Sequence, residues 1–266
     1  MATSARLDGA AEIPVGAAFG SGFDLLKRRM AEIVVAAFLL GSVPWIALDI
    51  LSQHLLAQIA LGIWQKTAIG LMATVIVEVM GMTAAFGLIA RIAISAADNR
   101  AEPIATSLDI TLRRYPAMVA MALLRDMATW VGLILLAVPG LILTVMWSVS
   151  TQAMVAEGLG PIAGLRRSAY LTRGARWRIL GLTLVIGIVE AIGNYLVGRL
   201  GGSFYGGQTE LTRMIGSEWP IWYMCVMAIY HGAVIALSGS IFAALYVQLR
   251  NAKDGPPSDS LAEVFA

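Results

Sequence analysis

Six long apolar runs dominate the sequence and restrict what the chain can fold into. A helix needs about 20 mainly apolar residues to cross a hydrocarbon core of about 30 Å, and most of the runs approach that length. Charged residues make up 14% of the chain, against about 25% in soluble domains. We therefore predict an all-α, polytopic membrane protein with six transmembrane helices. The predicted spans cover residues 31–49, 68–95, 116–138, 140–157, 176–199 and 220–247.

The segment 115–157 can be divided in two ways. It is long enough for two short spans separated at Val138-Pro139-Gly140, because proline and glycine together favour a turn. The alternative is one span over 127–148. With six spans and both termini cytoplasmic, fifteen of the 19 basic residues lie on the cytoplasmic side. Five spans would move the five arginines of 160–178 to the outer side, and the positive-inside rule disfavours that arrangement.

Three basic stretches resemble one another, and each precedes a pair of predicted spans. FDLLKRRM (23–30) aligns without gaps on LDITLRRY (108–115), whereas SAYLTRGARW (168–177) matches more loosely. Each stretch follows a proline that can open a helix, because the missing N–H of proline costs nothing at a helix start. We predict three hairpin pairs of spans, each preceded by a cytoplasmic interfacial amphipathic helix with its apolar face toward the lipid.

The predicted domain organisation has three parts. Residues 1–12 form a disordered N-terminus, residues 13–250 form a single six-helix transmembrane domain, and residues 251–266 form a cytoplasmic tail. The start of the sequence lacks the charged region and compact apolar stretch of a cleaved signal peptide. The first span is therefore expected to act as the insertion signal. The Gly-rich stretch 199–218 is expected to be a mobile outer loop.

Most basic residues on the predicted cytoplasmic side are arginines, whose planar fork matches phosphate oxygens. Near a membrane surface each basic residue contributes about 1 kcal/mol of attraction to anionic lipid. We therefore predict that eight arginines contact the headgroups of anionic phospholipids. They are Arg28, Arg29, Arg113, Arg114, Arg166, Arg167, Arg173 and Arg176. The alternative is that these residues only enforce the topology of the chain.

Ionisable residues inside the predicted spans form a second candidate site. Arg125 and Asp126 stand side by side in the third span, and a charge at the bilayer centre costs at least about 2.5–3.5 kcal/mol. Because adjacent helical residues point about 100° apart, we predict that Arg125 pairs with Glu78 or Glu190 on another helix. The predicted buried polar cluster consists of Glu78, Arg125, Asp126, Glu190 and His231. Either it fixes the register of the helices, or it lines a path for a proton, an ion or a lipid headgroup.

A known pattern covers residues 138–181, VPGLILTVMWSVSTQAMVAEGLGPIAGLRRSAYLTRGARWRILG. It contains a Pro-Gly turn, a span that ends in Glu157, a Gly-Pro start, and Ser168 between basic residues. The pattern resembles the membrane-domain family found ahead of the catalytic barrel in some bacterial glycerophosphoryl diester phosphodiesterases, and also as stand-alone membrane proteins. Residues 243–255, AALYVQLRNAKDG, are similar to the end of that family's domain. The resemblance implies a six-helix protein of the inner membrane with no settled activity of its own.

The phosphodiesterase chemistry of that family is not expected in this chain. The sequence lacks the His-Arg dipeptide that such a catalytic site needs, because Leu55 follows His54 and Gly232 follows His231. The chain also ends soon after Gly255, so we expect a stand-alone member without the catalytic barrel.

No pattern in the sequence indicates a catalytic centre. The one cysteine, Cys225, lies in an apolar run and has no partner for a disulfide. We predict a non-catalytic integral protein of the bacterial inner (cytoplasmic) membrane, a lipid-associated scaffold or partner subunit that is not an enzyme and holds no cofactor or metal. Its expected partners are the membrane, anionic phospholipids and a protein partner or second copy of the chain, with no nucleic acid. The alternative is a transporter or lipid-translocating protein that uses Glu78, Arg125, Asp126 and Glu190.

Overall fold

The computed structural model describes residues 15–58, 62–98, 102–204 and 221–255, and these parts of the chain are all helical. A π-helical turn, Ala37–Ser42, joins the second helix to the third. The helices are α1 (Val15–Arg28), α2 (Met30–Ala36), α3 (Val43–Gln58), α4 (Ile63–Ala97), α5 (Ile104–Leu135), α6 (Ala137–Met146), α7 (Ser150–Glu157), α8 (Pro161–Leu171), α9 (Arg176–Phe204) and α10 (Ile221–Asp254).

Six helical segments in the described parts are long and apolar enough to cross a membrane, which confirms the predicted number of spans. The first span combines α2, the π-helical turn and the start of α3, and the fourth combines α6 and α7. The second, third, fifth and sixth spans lie in α4, α5, α9 and α10. Each span begins and ends within a few residues of its predicted bounds or extends beyond them, because long apolar runs fix a helix locally.

The sixth span forms the centre of the bundle and the fifth lies at its edge. The most apolar part of α10 is 67% buried, whereas that of α9 is 11% buried. The fully buried Leu245 and Tyr246 of α10 pack in one cluster with Ala18 and Leu25 of α1. A Cβ added to Gly22 would lie 2.8 Å from the Cα of Ile241, so glycine allows α1 to touch the backbone of α10. This contact fixes α1 against the bundle.

The structure differs from the sequence prediction at the second basic stretch. Residues 104–115 do not form a separate helix but the first turns of α5, which continues through Pro116 to Leu135. Ser107 and Thr111 on these turns are fully or almost fully buried, and Thr111 lies against Gly87 of α4. This packing on α4 holds the two parts of α5 in line, although proline inside a helix removes a backbone hydrogen bond.

The turn between the third and fourth spans lies slightly before its predicted position. α5 ends at Leu135, Leu136 is extended with φ −161° and ψ 132°, and Pro139 already belongs to α6. Gly140 is needed for close approach, because a Cβ there would lie 2.6 Å from the backbone nitrogen of Leu133. The glycine therefore brings α5 and α6 together, and the turn itself is made one residue after α5 ends.

The predicted domain ends fall partly outside the described residues. This applies to residues 1–12, to most of the 251–266 tail and to much of the 199–218 loop. In the parts that are described, α9 continues to Phe204 and α10 to Asp254, so helix extends into the segments predicted as loop and tail.

Candidate functional site

The fourth span is interrupted at its middle. α6 ends at Met146, α7 begins at Ser150, and the residues between them form a turn. The hydroxyl of Ser168 on α8, which is fully buried, donates to the carbonyl of Met146 at 2.9 Å and accepts from the backbone N–H of Val149 at 3.3 Å. Ser168 thus satisfies backbone groups that the interruption frees, and such groups must find partners inside a membrane.

A cavity of about 390 Å³ lies beside this interruption. Its walls come from α4, α5, α6, α7, α9, α10 and the turn between α6 and α7. The polar side chains on the walls are Glu78, Thr83, Arg125, Asp126, Thr129, Thr144, Ser148, Thr151, Gln152 and Thr183. Apolar and aromatic side chains, among them Phe86, Trp147 and Phe242, complete the lining.

The cavity lies far along the bundle axis from the end that holds Arg114. A Cβ added to Gly158, just after α7, would lie 2.8 Å from a terminal nitrogen of Arg114, so Arg114 marks the level where the fourth span ends. Arg125 follows Arg114 by eleven residues on the same helix. This spacing corresponds to roughly 16 Å at 1.5 Å per residue, which is about half the thickness of a hydrocarbon core.

The prediction that Arg125 pairs with Glu78 or Glu190 is wrong. Nε of Arg125 donates to Oδ1 of its neighbour Asp126 at 2.8 Å. The two Cβ atoms diverge, but the arginine side chain has a long flexible stem that can bring the guanidinium back to the adjacent carboxylate. Both side chains are partly exposed, at 31% and 35%. The pair is therefore local to α5 and connects no two helices.

The structure divides the five residues of the predicted cluster. Glu78, Arg125 and Asp126 line the cavity, whereas Glu190 and His231 are not among its lining residues. Glu78 is exposed and not buried as predicted, and its charge acts on His231. The backbone carbonyl of Glu190 accepts a hydrogen bond from the Tyr230 hydroxyl at 2.8 Å. The His231 ring stacks on Trp45, with ring centroids 5.6 Å apart.

Three of the residues that line the cavity have buried side-chain oxygens without hydrogen-bond partners among the described residues. Gln152 is only 2% exposed, and its side-chain carbonyl oxygen accepts no hydrogen bond. The hydroxyl oxygens of Ser148 and Thr183 are also buried without a partner. Most buried polar atoms in proteins are hydrogen-bonded, and an unpaired one costs about 1–3 kcal/mol.

A second group of charged residues lies at the end of the bundle where α4, α7 and α10 finish, around another cavity of about 400 Å³. Arg91 binds Glu102 through two hydrogen bonds of 3.0 and 2.9 Å, and Arg250 binds Asp98 through two of 2.6 and 3.3 Å. Such two-point contacts between arginine and carboxylate are among the stronger ion pairs. They connect α4 to α10 and to the segment before α5.

Arg167 on α8 extends this ion-pair network. Its Nε donates to both carboxylate oxygens of Glu157 at 2.9 Å, and a terminal nitrogen binds Asp254. The Tyr246 hydroxyl donates to Glu157 at 2.8 Å. Burial by itself lowers the pKa of Arg167, but the bonds to Asp254 and Glu157 outweigh it and raise that pKa above its ordinary value. Arg167 is therefore a fixed positive charge that joins α7, α8 and α10.

The eight arginines predicted to contact lipid lie in different surroundings. Arg28, Arg113, Arg166 and Arg173 are exposed. Arg29 donates to the backbone carbonyl of Glu102 and pairs with Glu32, and Arg167 belongs to the network described above. Arg114 lies beside Gly158, and Arg176 is half-buried with no partner for its Nε among the described residues.

Sequence reasoning missed the acidic half of the ion-pair network. Asp98, Glu102, Glu157 and Asp254 all stand at or just beyond the ends of predicted spans, on the same side as the arginine-rich stretches. Acidic residues in those positions indicate that some of the arginines form ion pairs within the protein. Within the described residues, no group of three or more His, Cys, Asp or Glu side chains is arranged to hold a metal ion.

A family model described as a domain of unknown function, DUF7847, matches residues 66–249, more than two thirds of the chain. No curated protein and no solved structure is similar enough to count as a match. The matched segment contains the cavity, the interrupted fourth span and most of the ion-pair network.

Proposed function

We propose that this protein, which belongs to the DUF7847 family, is a non-catalytic integral membrane protein that associates with anionic lipid, either as a scaffold or as the partner subunit of another protein. The family assigns no activity, so the proposal rests on the molecule itself. The observation that carries it is the set of exposed arginines Arg28, Arg113, Arg166 and Arg173 at the end of the bundle that holds the ion-pair network.

These arginines are available to phosphate groups. Among the described residues Arg113 pairs only with Asp109, and the two side chains are 78% and 58% exposed, so the pair contributes little and can be exchanged. Trp177, close behind Arg173 in the chain, is 86% exposed, and exposed tryptophans are typical of the membrane interface. A cluster of basic residues beside an interfacial aromatic ring favours binding to a negatively charged leaflet.

The proposal includes an orientation. Placing the arginine-rich end in the cytoplasm of a bacterial inner membrane, with both termini on that side, satisfies the positive-inside rule. α1 and α8 would then be the interfacial amphipathic helices, and the spans would form three hairpin pairs. The likeness of residues 138–181 to the membrane domains of glycerophosphoryl diester phosphodiesterases stays a prediction.

Native mass spectrometry of the purified full-length chain tests the lipid association. The parent should retain phosphatidylglycerol, and a variant with Arg28, Arg113, Arg166 and Arg173 all replaced by Gln should lose most of it. The control replaces Lys66 and Arg199 by Gln, two basic residues toward the opposite end, and should retain the lipid. Equal retention by the two variants would contradict the proposal.

A second candidate function is a transporter or lipid-translocating protein that uses Glu78, Arg125, Asp126 and Glu190. The interruption of the fourth span beside a polar cavity favours it, because transporters commonly bind their substrates where a spanning helix is discontinuous. Glu190 does not line that cavity, so a transport path that includes Glu190 would need a separate opening.

A further inference from the structure

Two cavities of similar size lie on the same three helices at different depths. The cavity beside the interrupted fourth span, here called the interruption cavity, measures about 390 Å³. The cavity within the ion-pair network, here called the network cavity, measures about 400 Å³. α4, α7 and α10 contribute lining residues to both. The two spaces therefore follow one another along the same helices.

One helical turn separates the two cavities on α7 and on α10. On α7, Gln152 lines the interruption cavity and Ala156 lines the network cavity. On α10, Phe242 lines the first and Tyr246 lines the second. Residues i and i+4 lie on the same face of a helix, one above the other, and a rise of 1.5 Å per residue places them roughly 6 Å apart. The same two helix faces thus border both cavities.

Both cavities reach the surface within the described part of the chain. In the interruption cavity the side chains of Arg125 and Asp126 are 31% and 35% exposed. In the network cavity the side chains of Glu157 and Asp254 are 26% and 37% exposed. Charged groups exposed at membrane depth face water, so we expect the interruption cavity to be hydrated. The layer between the cavities is then what interrupts a hydrated passage.

This layer is thin and apolar. The ring of Tyr246 is fully buried, and its hydroxyl donates to Glu157 at 2.8 Å. Phe242 is partly buried and packs against the cluster that contains Tyr246. On α4 the fully buried Ala90 belongs to the same cluster and separates the residues that line one cavity from those that line the other. The layer is therefore closed, and α10 contributes two aromatic rings to it.

The arginines that line the cavities are all bound to carboxylates. The pairs are Arg125–Asp126 in the interruption cavity, and Arg91–Glu102, Arg250–Asp98 and Arg167–Glu157 in the network cavity. An ion of one sign would bind by separating such a pair, which leaves the other member without its partner and is costly. A solute without net charge can form hydrogen bonds to the pairs while they stay intact. The two linings therefore favour small polar solutes that are uncharged or zwitterionic.

We propose that a route for small polar solutes without net charge runs along α7 and α10 through both cavities, and that the rings of Phe242 and Tyr246 close it between them. The hydrogen bond from the Tyr246 hydroxyl to Glu157 holds one ring in the closed position. Movement of the two rings joins the cavities. This route deepens the second candidate function and rests on it, and it does not depend on the lipid association.

Stopped-flow light scattering of proteoliposomes that contain the full chain tests the route. In an inward gradient of glycerol the vesicles swell at a rate set by solute entry. Phe242→Ala should speed this entry about tenfold over the parent, because it removes a ring from the barrier. Phe19→Ala is the matched control, since Phe19 is also partly buried against the same cluster but lines neither cavity. Equal rates in the two variants would overturn the route.

Two further measurements sharpen this test. Phe242→Leu keeps an apolar side chain and should give a smaller increase than Phe242→Ala, and it replaces the alanine variant if circular dichroism shows that variant to be unfolded. Glycine, a zwitterion, should enter the Phe242→Ala vesicles faster than sodium or chloride ions. Faster entry of either ion than of glycine would overturn the assignment of the solute class.

A blocked thiol shows whether the solute passes through the network cavity. Both test chains carry Phe242→Ala, and Cys225→Ser removes the one native cysteine. Ala156→Cys then places a thiol on the lining of the network cavity, whereas Ala163→Cys places one on the exposed surface of α8. Reaction with a bulky maleimide should return glycerol entry to the parental rate in the first chain and leave it unchanged in the second. Unchanged entry in both would overturn the route.

The parent chain separates failure of the route from failure of the transporter. Parent entry that is faster than in protein-free liposomes, and that Phe242→Ala raises further, would support both. A leak in Phe242→Ala with a parent no faster than protein-free liposomes would support the route and reject the transporter. Parent entry that Phe242→Ala leaves unchanged would keep the transporter and overturn the route.

Discussion

The ion-pair network and the cavity both contain acidic residues, but the two regions differ in whether an arginine binds those residues. In the network, Asp98, Glu102, Glu157 and Asp254 each bind an arginine. In the cavity, Glu78 is exposed and its charge acts on His231, but it has no hydrogen bond or ion pair with a described residue, although it shares the space with Arg125. Both sites take polar groups from several helices, yet only one uses them to join those helices.

In the network the charged groups stabilise contacts between helices, whereas in the cavity the unpartnered polar groups stabilise none. A charge held by two-point contacts on another helix fixes how the helices lie, and removing one partner leaves the other buried and unpaired. A polar group without a partner fixes nothing and costs free energy. Substitutions in the two regions should therefore affect the free energy of unfolding in opposite directions.

The largest expected effect is that of Arg250→Leu in the network. Asp98, whose side chain is 9% exposed, would lose both of its hydrogen bonds. Breaking a fully buried pair costs about 3–5 kcal/mol, and this part-buried pair should cost up to that amount. Unfolding of the detergent-solubilised protein, followed by circular dichroism, should show that loss as a lower free energy of unfolding.

Arg166→Leu is the matched control, because Arg166 is an exposed arginine at the same end. It should leave the unfolding curve close to that of the parent. A double variant, Arg250→Leu with Asp98→Leu, should recover much of the stability that the single variant loses. If the double variant unfolds as easily as the single one, Asp98 is not the partner that matters.

A smaller loss is expected from Ser168→Ala on α8. The alanine would leave the Val149 N–H without its side-chain partner at the interruption of the fourth span, and the Met146 carbonyl would keep only the longer hydrogen bond of 3.4 Å from the Thr172 hydroxyl. An unsatisfied buried group costs about 1–3 kcal/mol. Ser148→Ala is the matched control, since that hydroxyl has no partner to lose. Equal destabilisation by the two would mean that Ser168 does not support the interruption.

The smallest effect, and one of opposite sign, is expected from Gln152→Leu in the cavity. Leucine removes a buried amide oxygen that has no partner, so the free energy of unfolding should be unchanged or higher by about 1 kcal/mol. Gln248→Leu is the comparison, because the Gln248 amide nitrogen donates to Ser21 at 3.2 Å while its oxygen, like that of Gln152, has no partner among the described residues. It should therefore be less stable than Gln152→Leu by about 0.5–1.5 kcal/mol, the contribution of that hydrogen bond. A loss of stability in Gln152→Leu that matches the loss in Gln248→Leu would contradict the distinction between the two regions.

The spans were predictable, and the partners of the charges were not. Hydropathy located six segments that are long and apolar enough to cross a membrane, because each depends on a run of neighbouring residues. The partner of Arg125 was predicted wrongly because the rule for Cβ directions ignores how far a guanidinium can reach around its own helix. Similarly, residues 104–115 have the pattern of a separate helix but pack on α4 as part of α5.

The candidate site was predictable only in part. Glu78, Arg125 and Asp126 stand out in the sequence as charges within apolar runs, and the structure brings all three to one cavity. Gln152 and Thr183 carry no such signal, because polar uncharged residues are common in spanning helices. The interruption at 147–149 gave no sequence signal either, since neither proline nor glycine occurs there.

The sequence alone determined that this is an all-helical protein with six segments able to cross a membrane, because the hydrophobicity of a run is a local property of the chain. Only the tertiary structure decided which charges are paired, where the fourth span is interrupted, and which polar atoms surround an open space. Those features depend on contacts between the ends of long side chains on different helices. The order of the residues alone does not specify such contacts.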